Sequence, residues 1–189
     1  MDCLAVNQSS AANPAAWNAV FGAYPGDPTQ GSPFDAAEPT DRFFGDTNQF
    51  KRGAALYGDI TYQAERRFFA RKAQALGVAV YNYHYRIVPN DSKGTNQAFQ
   101  GVHHGSDLNK LNESSPLGNT MSQLFALIVN NSDPNDPAAP LVWPKYDESG
   151  LMIEFVDGVP NDMDKTTDTF RKKEIAKLFS ADFLDATSR

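Results

Sequence analysis

The sequence predicts an α/β protein whose sheet is incomplete within the chain. Two stretches with strand character, 78–88 and 151–156, are interleaved with segments of helical periodicity, which is the α/β pattern. A sheet normally has about four to six strands, and an isolated pair is marginal in water. The inner faces of these helices therefore call for strands that the chain does not contain.

Residues 11–22 read as a short helix ending near Gly22, followed by a proline- and glycine-rich loop from Tyr24 to Asp35. Residues 47–57 and 59–76 read as two helices, the second with Asp59 as N-cap and Gly77 as its stop. In that second helix Ile60, Ala64, Phe68 and Ala75 share a side that Phe69 and Leu76 widen, so it is expected to lie on the sheet. Val78–Val88 alternates, with Tyr81, Tyr83, Tyr85 and Ile87 on one face and Val80, Asn82, His84 and Arg86 on the other. Residues 89–100 read as polar loop and 109–117 as irregular. The helix at 120–130 is apolar nearly all round, through Met121, Leu124, Phe125, Leu127, Ile128 and Val129, and is expected to be covered on most sides.

Residues 133–146 form a loop pinned by burial of Trp143. After the 151–156 strand, the aspartates at 157, 162, 164 and 168 read as a solvated loop without EF-hand order. The last helix, 167–179, turns Phe170, Ile175, Leu178 and Phe179 inward, with Lys172, Lys173 and Lys177 suited to the negative end of its dipole.

Composition narrows the function classes. At 189 residues the chain suits one domain, and a net charge of −6 without a Lys/Arg cluster argues against nucleic-acid binding. No apolar run approaches the length of a membrane span. Met1–Asn7 lacks the basic and apolar regions of a secretory leader, so none is expected in the chain. Cys3 is the only cysteine, which excludes an internal disulfide and a cysteine metal cluster. His103 and His104 are adjacent and His84 is remote, a spacing that does not suit zinc. No metal and no cofactor are expected. Asn-x-Ser sequons begin at Asn7, Asn90, Asn112 and Asn130, which leans towards a secreted parent protein.

The stretch that carries chemistry is Gly101-Val102-His103-His104-Gly105-Ser106-Asp107, in which a histidine between glycines follows an aromatic strand. Such a histidine can serve as a general base, because an imidazole pKa near about 6.5 lets it take a proton and return it at neutral pH. Taken without further motifs, His104 also reads as a surface-loop histidine. His103 reads as packing or solvent-exposed, His84 as a packed strand histidine with a backbone partner, and Trp143 and the strand tyrosines as core. No serine of the twelve has glycine two residues away on both sides, so a nucleophile elbow is absent from the sequence.

Several segments in this order resemble the C-terminal third of type-B carboxylesterases and cholinesterases, and most closely the secreted fungal triacylglycerol lipases of that family. They are Tyr24–Asp35, Gln49-Phe50-Lys51-Arg52, Gly58-Asp59, Ala64–Phe69, Gly101–Asp107, Asp133-Pro134-Asn135 and Trp143-Pro144-Lys145-Tyr146. The resemblance implies that residues 1–189 are the C-terminal segment of a single α/β-hydrolase domain. It assigns His104 as the general base of a Ser–Asp/Glu–His triad, with nucleophile, acid and oxyanion loop in a missing N-terminal part. It further implies a carboxylic ester or lipid as substrate, an extracellular parent and an isolated chain without appreciable hydrolysis. Asp107, only three residues from His104, and Glu113 are weaker candidates for a local substitute acid. The family usually continues with apolar or aromatic residues after Asp107, whereas here Leu108 precedes Asn109-Lys110, so the wall beside the histidine is expected to differ. The competing reading is a non-enzymatic hydrolase-like fragment or interaction module.

Overall fold

The computed structural model describes residues 14–24, 26, 48–87, 102–137 and 141–187. The chain divides into two compact units, one of residues 1–66 with 171–189 and the other of residues 67–170. The expected loops at 27–35 and 89–100, Cys3, Gly101, and the sequons at Asn7 and Asn90 lie outside the described residues.

The first unit is helical. α1 (Pro14–Ala23) buries Ala16 and Val20, four residues apart on one face. α2 (Asn48–Gly58) passes without a break into a π-helical turn at Asp59–Gln63 and then into α3 (Ala64–Ala75), where the sequence suggested two helices separated by a cap. Asp59 is not an N-cap. Its carboxylate is fully buried and accepts hydrogen bonds from Arg171 Nε at 2.7 Å, Arg171 Nη2 at 2.6 Å and the Tyr24 hydroxyl at 3.0 Å. A planar guanidinium matches a carboxylate at two points, which is why an ion pair of this kind tolerates burial. Arg171 adopts a left-handed backbone (φ 42°) immediately before α6 (Lys172–Leu178), a conformation disfavoured for a residue with a Cβ. α7 (Ala181–Thr187) follows Ser180. Ile175, Leu178 and Phe183 close the core with Val20, Tyr24, Ala55, Leu56 and Ala64. The single final helix expected from the sequence is thus two short ones. Phe179 is exposed, and Lys172 and Lys173 begin α6 instead of ending a helix.

The second unit holds a three-stranded mixed sheet in the order β1 (Tyr83–Tyr85), β2 (Leu151–Phe155), β3 (Met163–Thr167). β1 runs parallel to β2 with Tyr83 opposite Ile153, and β2 runs antiparallel to β3 with Ile153 opposite Lys165. β3 was not expected. Its sequence, Met163-Asp164-Lys165-Thr166-Thr167, buries only Met163 and leaves charges on an outer strand, where they discourage further pairing. The strand expected over 78–88 is regular for only three residues, although Tyr81, Tyr83, Tyr85 and Ile87 do share the core side.

α4 (Ser106–Leu111) occupies part of the region read as irregular, and α5 (Pro116–Asn131) starts earlier than expected. Ser115 caps α5 by accepting from the Gly118 N–H at 3.2 Å, and Pro116 fills the first turn, where no N–H is needed. A Cβ on Gly118 would stand 2.3 Å from the Glu113 carbonyl oxygen and 2.5 Å from that of Lys110, so only glycine allows α5 to approach the end of α4. α5 buries Leu117, Met121 and Leu124 on one face, while Val129 is 83% exposed; the expected cover on most sides is not present among the described residues. α3 also departs from expectation. It buries Ala64, Arg67, Ala70 and Ala73, and its apolar stripe of Phe68, Phe69 and Leu76 faces outward.

Two buried polar groups hold this unit. Asp168, read as part of a solvated run, accepts from Arg67 Nη2 at 2.8 Å and from the Tyr146 hydroxyl at 2.8 Å, and the same Arg67 nitrogen reaches the Phe170 carbonyl at 2.7 Å. Trp143 is 1% exposed, in contact with Tyr81, Tyr83, Phe125 and Phe155.

Replacing Asp59 by alanine removes the carboxylate that meets the buried Arg171 guanidinium at two points, and is expected to cost about 3–5 kcal/mol. Tyr24→Phe removes one hydrogen bond and is expected to cost about 1 kcal/mol. Urea unfolding of the two variants checks the order; equal costs would show that the ion pair is not the dominant element.

Candidate active site

The histidine segment leaves Val102 as a bend and turns at His104-Gly105 into α4. Gly105 sits at φ 87°, a left-handed value that favours glycine. Its carbonyl accepts from the Leu108 N–H at 3.0 Å, which starts the helix. Ser106 is buried at 2% exposure. Its hydroxyl oxygen accepts from the His103 N–H at 3.0 Å and lies 3.3 Å from His103 Nδ1, while its own N–H donates to the His103 carbonyl at 3.1 Å. Ser106 therefore closes the turn locally, and a buried hydroxyl in that role does not offer a nucleophile to solvent.

Both His103 and His104 are exposed, but they differ in what their neighbours do. The Nδ1 edge of His103 faces Ser106, and His104 is the turn residue next to Gly105. Asp107 lies in the first turn of α4. Its Oδ2 accepts from the Tyr83 hydroxyl at 2.6 Å and its Oδ1 from the Leu108 N–H at 3.0 Å. Glu113 pairs with Lys110 at 2.7 Å. The two carboxylates weighed as substitute acids are thus engaged with a phenol and an ammonium. Leu108 is 55% exposed beside the turn, and Lys110 is held by its ion pair.

His84 is not brought to this turn's side of β1. It lies on the face opposite Tyr83, with Nδ1 3.3 Å from the Glu154 carboxylate and its ring 4.7 Å from that of Phe170, so a carboxylate is among its partners. The contact that sequence reasoning missed is Tyr83–Asp107. Its only signal is that the acidic residue of the motif and an inward tyrosine of the preceding strand are both able to reach across.

The Asp-Pro-Asn and Trp-Pro-Lys-Tyr segments meet each other. Asn135 donates to the Trp143 carbonyl at 3.0 Å and accepts from its N–H at 2.7 Å, with Asp133 holding Asn135 at 2.8 Å. The Trp143 indole N–H donates to the Asn82 carbonyl at 2.9 Å, beside Tyr83.

No family model matches the chain. Individual relatives do. Over 142 residues it is 34% identical to Lipase 4 of Diutina rugosa, covering 73% of the chain and 23% of that lipase. It is 30% identical to Lipase 2 of the same organism over 173 residues, 89% of the chain and 29% of the relative. Secreted lipase 1 of Botryotinia fuckeliana is 30% identical over 139 residues, 71% of the chain and 23% of the relative. Along most of its length the chain is similar to these fungal lipases, and it spans about a quarter of their length. The mixed helices and three-stranded sheet are consistent with an α/β-hydrolase-like fold. Among the described residues no helix is long and apolar enough to cross a membrane.

The tyrosines of this unit titrate high. Burial, then the hydrogen bond and charge of Asp107, push the Tyr83 hydroxyl upward. Burial first, with the charges of Asp107, Asp157 and Glu113, pushes Tyr85 up to about 12. Burial and Asp168 raise Tyr146. Each folded tyrosine holds its proton beyond the ordinary value of 10.0, so above that pH the native state binds more protons than the unfolded one. The stability they contribute is complete below about pH 10 and falls as pH rises, for Tyr85 across the window up to about 12. Tyrosinate absorbance and urea midpoints followed together through that window check this; full ionisation of all tyrosines near pH 10, with the fold intact, would contradict it.

Proposed function

We propose that this chain is the C-terminal segment of a carboxylic ester hydrolase with the α/β-hydrolase fold, and that His104 is the general base of its Ser–Asp/Glu–His triad. The observation that carries the reading is an exposed histidine on a glycine turn before α4, in a chain related to fungal lipases. The nucleophilic serine, the acid and the oxyanion donors would come from an N-terminal part of the same domain. The engagement of Asp107 and Glu113 with other partners supports an acid from elsewhere.

In that setting His104 accepts the serine proton as the hydroxyl attacks the ester carbonyl, then delivers it to the departing alcohol. In the second half it deprotonates the water that attacks the acyl-serine and returns the proton to the serine. A carboxylate on the other ring nitrogen would hold the required tautomer. The substrate is a carboxylic ester or lipid, and the parent is secreted, as one of the matched lipases is by name. Exposed Asn112 and Asn130, each opening a sequon, suit that compartment.

The outward faces of α3 and α5 support the same reading. Phe68, Phe69, Leu76 and Val129 are apolar positions that the rest of a larger fold would cover. The second reading, a non-enzymatic hydrolase-like fragment or interaction module, is favoured by the absence of a Gly-x-Ser-x-Gly from the chain.

Ester hydrolysis measured with a short p-nitrophenyl ester separates the two. The 189-residue chain alone is expected to be inactive. In the full-length protein, His104→Ala is expected to lower kcat on the order of 10⁴-fold or more, and His103→Ala to lower it by no more than about tenfold. Full activity in His104→Ala, or no nucleophile in the full-length sequence, would overturn the assignment.

A further inference from the structure

We infer that Tyr83 is a positioning residue for His104, acting through Asp107 to fix the turn that presents the imidazole; this rests on the reading of His104 as base. Tyr83 is anchored at both ends. Its backbone is part of β1, paired opposite Ile153, and its ring packs edge-on against Trp143 (6.0 Å between centroids) and Phe155 (5.6 Å). Its hydroxyl therefore has little freedom, and it donates to Asp107 Oδ2 over 2.6 Å, the short separation of a hydroxyl bonded to a carboxylate.

Asp107 in turn cannot swing, because its other oxygen accepts from the Leu108 N–H. It stands three residues after His104 and two after the left-handed Gly105, so its position sets how the turn leaves the helix. Ser106 locks the same turn from within, through the His103 N–H. The sheet and the turn are thus joined by a phenol–carboxylate bond, made by a residue three positions after His104. A transition state for proton transfer is demanding in geometry: a displacement of about 1 Å costs on the order of 10²-fold in rate. Tyr83 touches neither substrate nor the reacting atoms in this scheme; it acts on orientation alone.

The test uses the full-length protein, with Tyr83→Phe, Asp107→Ala, their double variant, Asp107→Asn and His104→Ala. Tyr83→Phe keeps the ring and its packing and removes only the hydroxyl. Expected is a loss of kcat of about 10- to 100-fold, with KM changed by less than about threefold. Asp107→Ala should lose a similar factor, and the double variant no more than either alone, because both remove one linkage. Asp107→Asn, which keeps an acceptor oxygen, should recover most of the activity. If kcat of Tyr83→Phe stays within about twofold of the parent while His104→Ala is inactive, the positioning role fails and the base assignment survives. A drop in melting temperature with unchanged kcat overturns it in the same way. If His104→Ala retains activity, the base assignment fails first, which distinguishes the two failures. Should Tyr83→Phe not fold, Asp107→Ala carries the decision by the same kcat and KM criteria.

Discussion

Trp143 is almost completely buried, yet each of its hydrogen-bonding groups has a partner. Its N–H and carbonyl meet the side-chain amide of Asn135, and its indole N–H meets the carbonyl of Asn82. An indole left without an acceptor in an interior would forfeit much of what its burial contributes, because an unsatisfied donor costs about 1–3 kcal/mol. Here the donor is spent on the segment that needs it. β1 is only three residues long, and a short strand is weakly defined by its own ladder. The indole, the β2 pairing and the Tyr146 N–H to the Val80 carbonyl together hold residues 80–86 in register. Everything that reaches from this strand towards the histidine turn depends on that hold.

This dependence explains why widely separated segments meet. Asn135 is held by Asp133, Trp143 by Asn135, β1 by Trp143, and Asp107 by Tyr83 of β1. None of these contacts is between neighbours in sequence except the first. The side chains are ordinary ones, and only their joint placement gives the turn a rigid footing.

The parts legible in the sequence are those governed by local rules. Alternation placed Tyr81, Tyr83, Tyr85 and Ile87 on one side of a strand, and the glycines beside His103 and His104 marked an exposed loop there. What escaped was decided over long distances. Asp59 has the form of a helix cap, and it became an interior carboxylate because Arg171 lies 112 residues away in sequence. Asp168 looked solvated for the same reason, since nothing nearby announces Arg67. β3 was invisible because an outer strand with Asp164 and Lys165 carries no apolar alternation to read. The Tyr83–Asp107 bond was hidden too, for it depends on β1 and α4 being brought together by others.

The apolar faces are the instructive disagreement. Helical periodicity placed Phe68, Phe69 and Leu76 of α3 on the core side, but the buried side is Ala64, Arg67, Ala70 and Ala73. Both stripes are real. Small alanines allow close approach on one side of the helix, and Arg67 finds its charge partner there. The opposite stripe leaves large rings in water, where each forgoes on the order of 1.5–3 kcal/mol of burial. α5 repeats the situation, with Met121 and Leu124 enclosed and Val129 outward. Among the described residues, both helices are thus patterned for burial on more sides than their neighbours cover, so periodicity alone cannot say which apolar stripe turns inward.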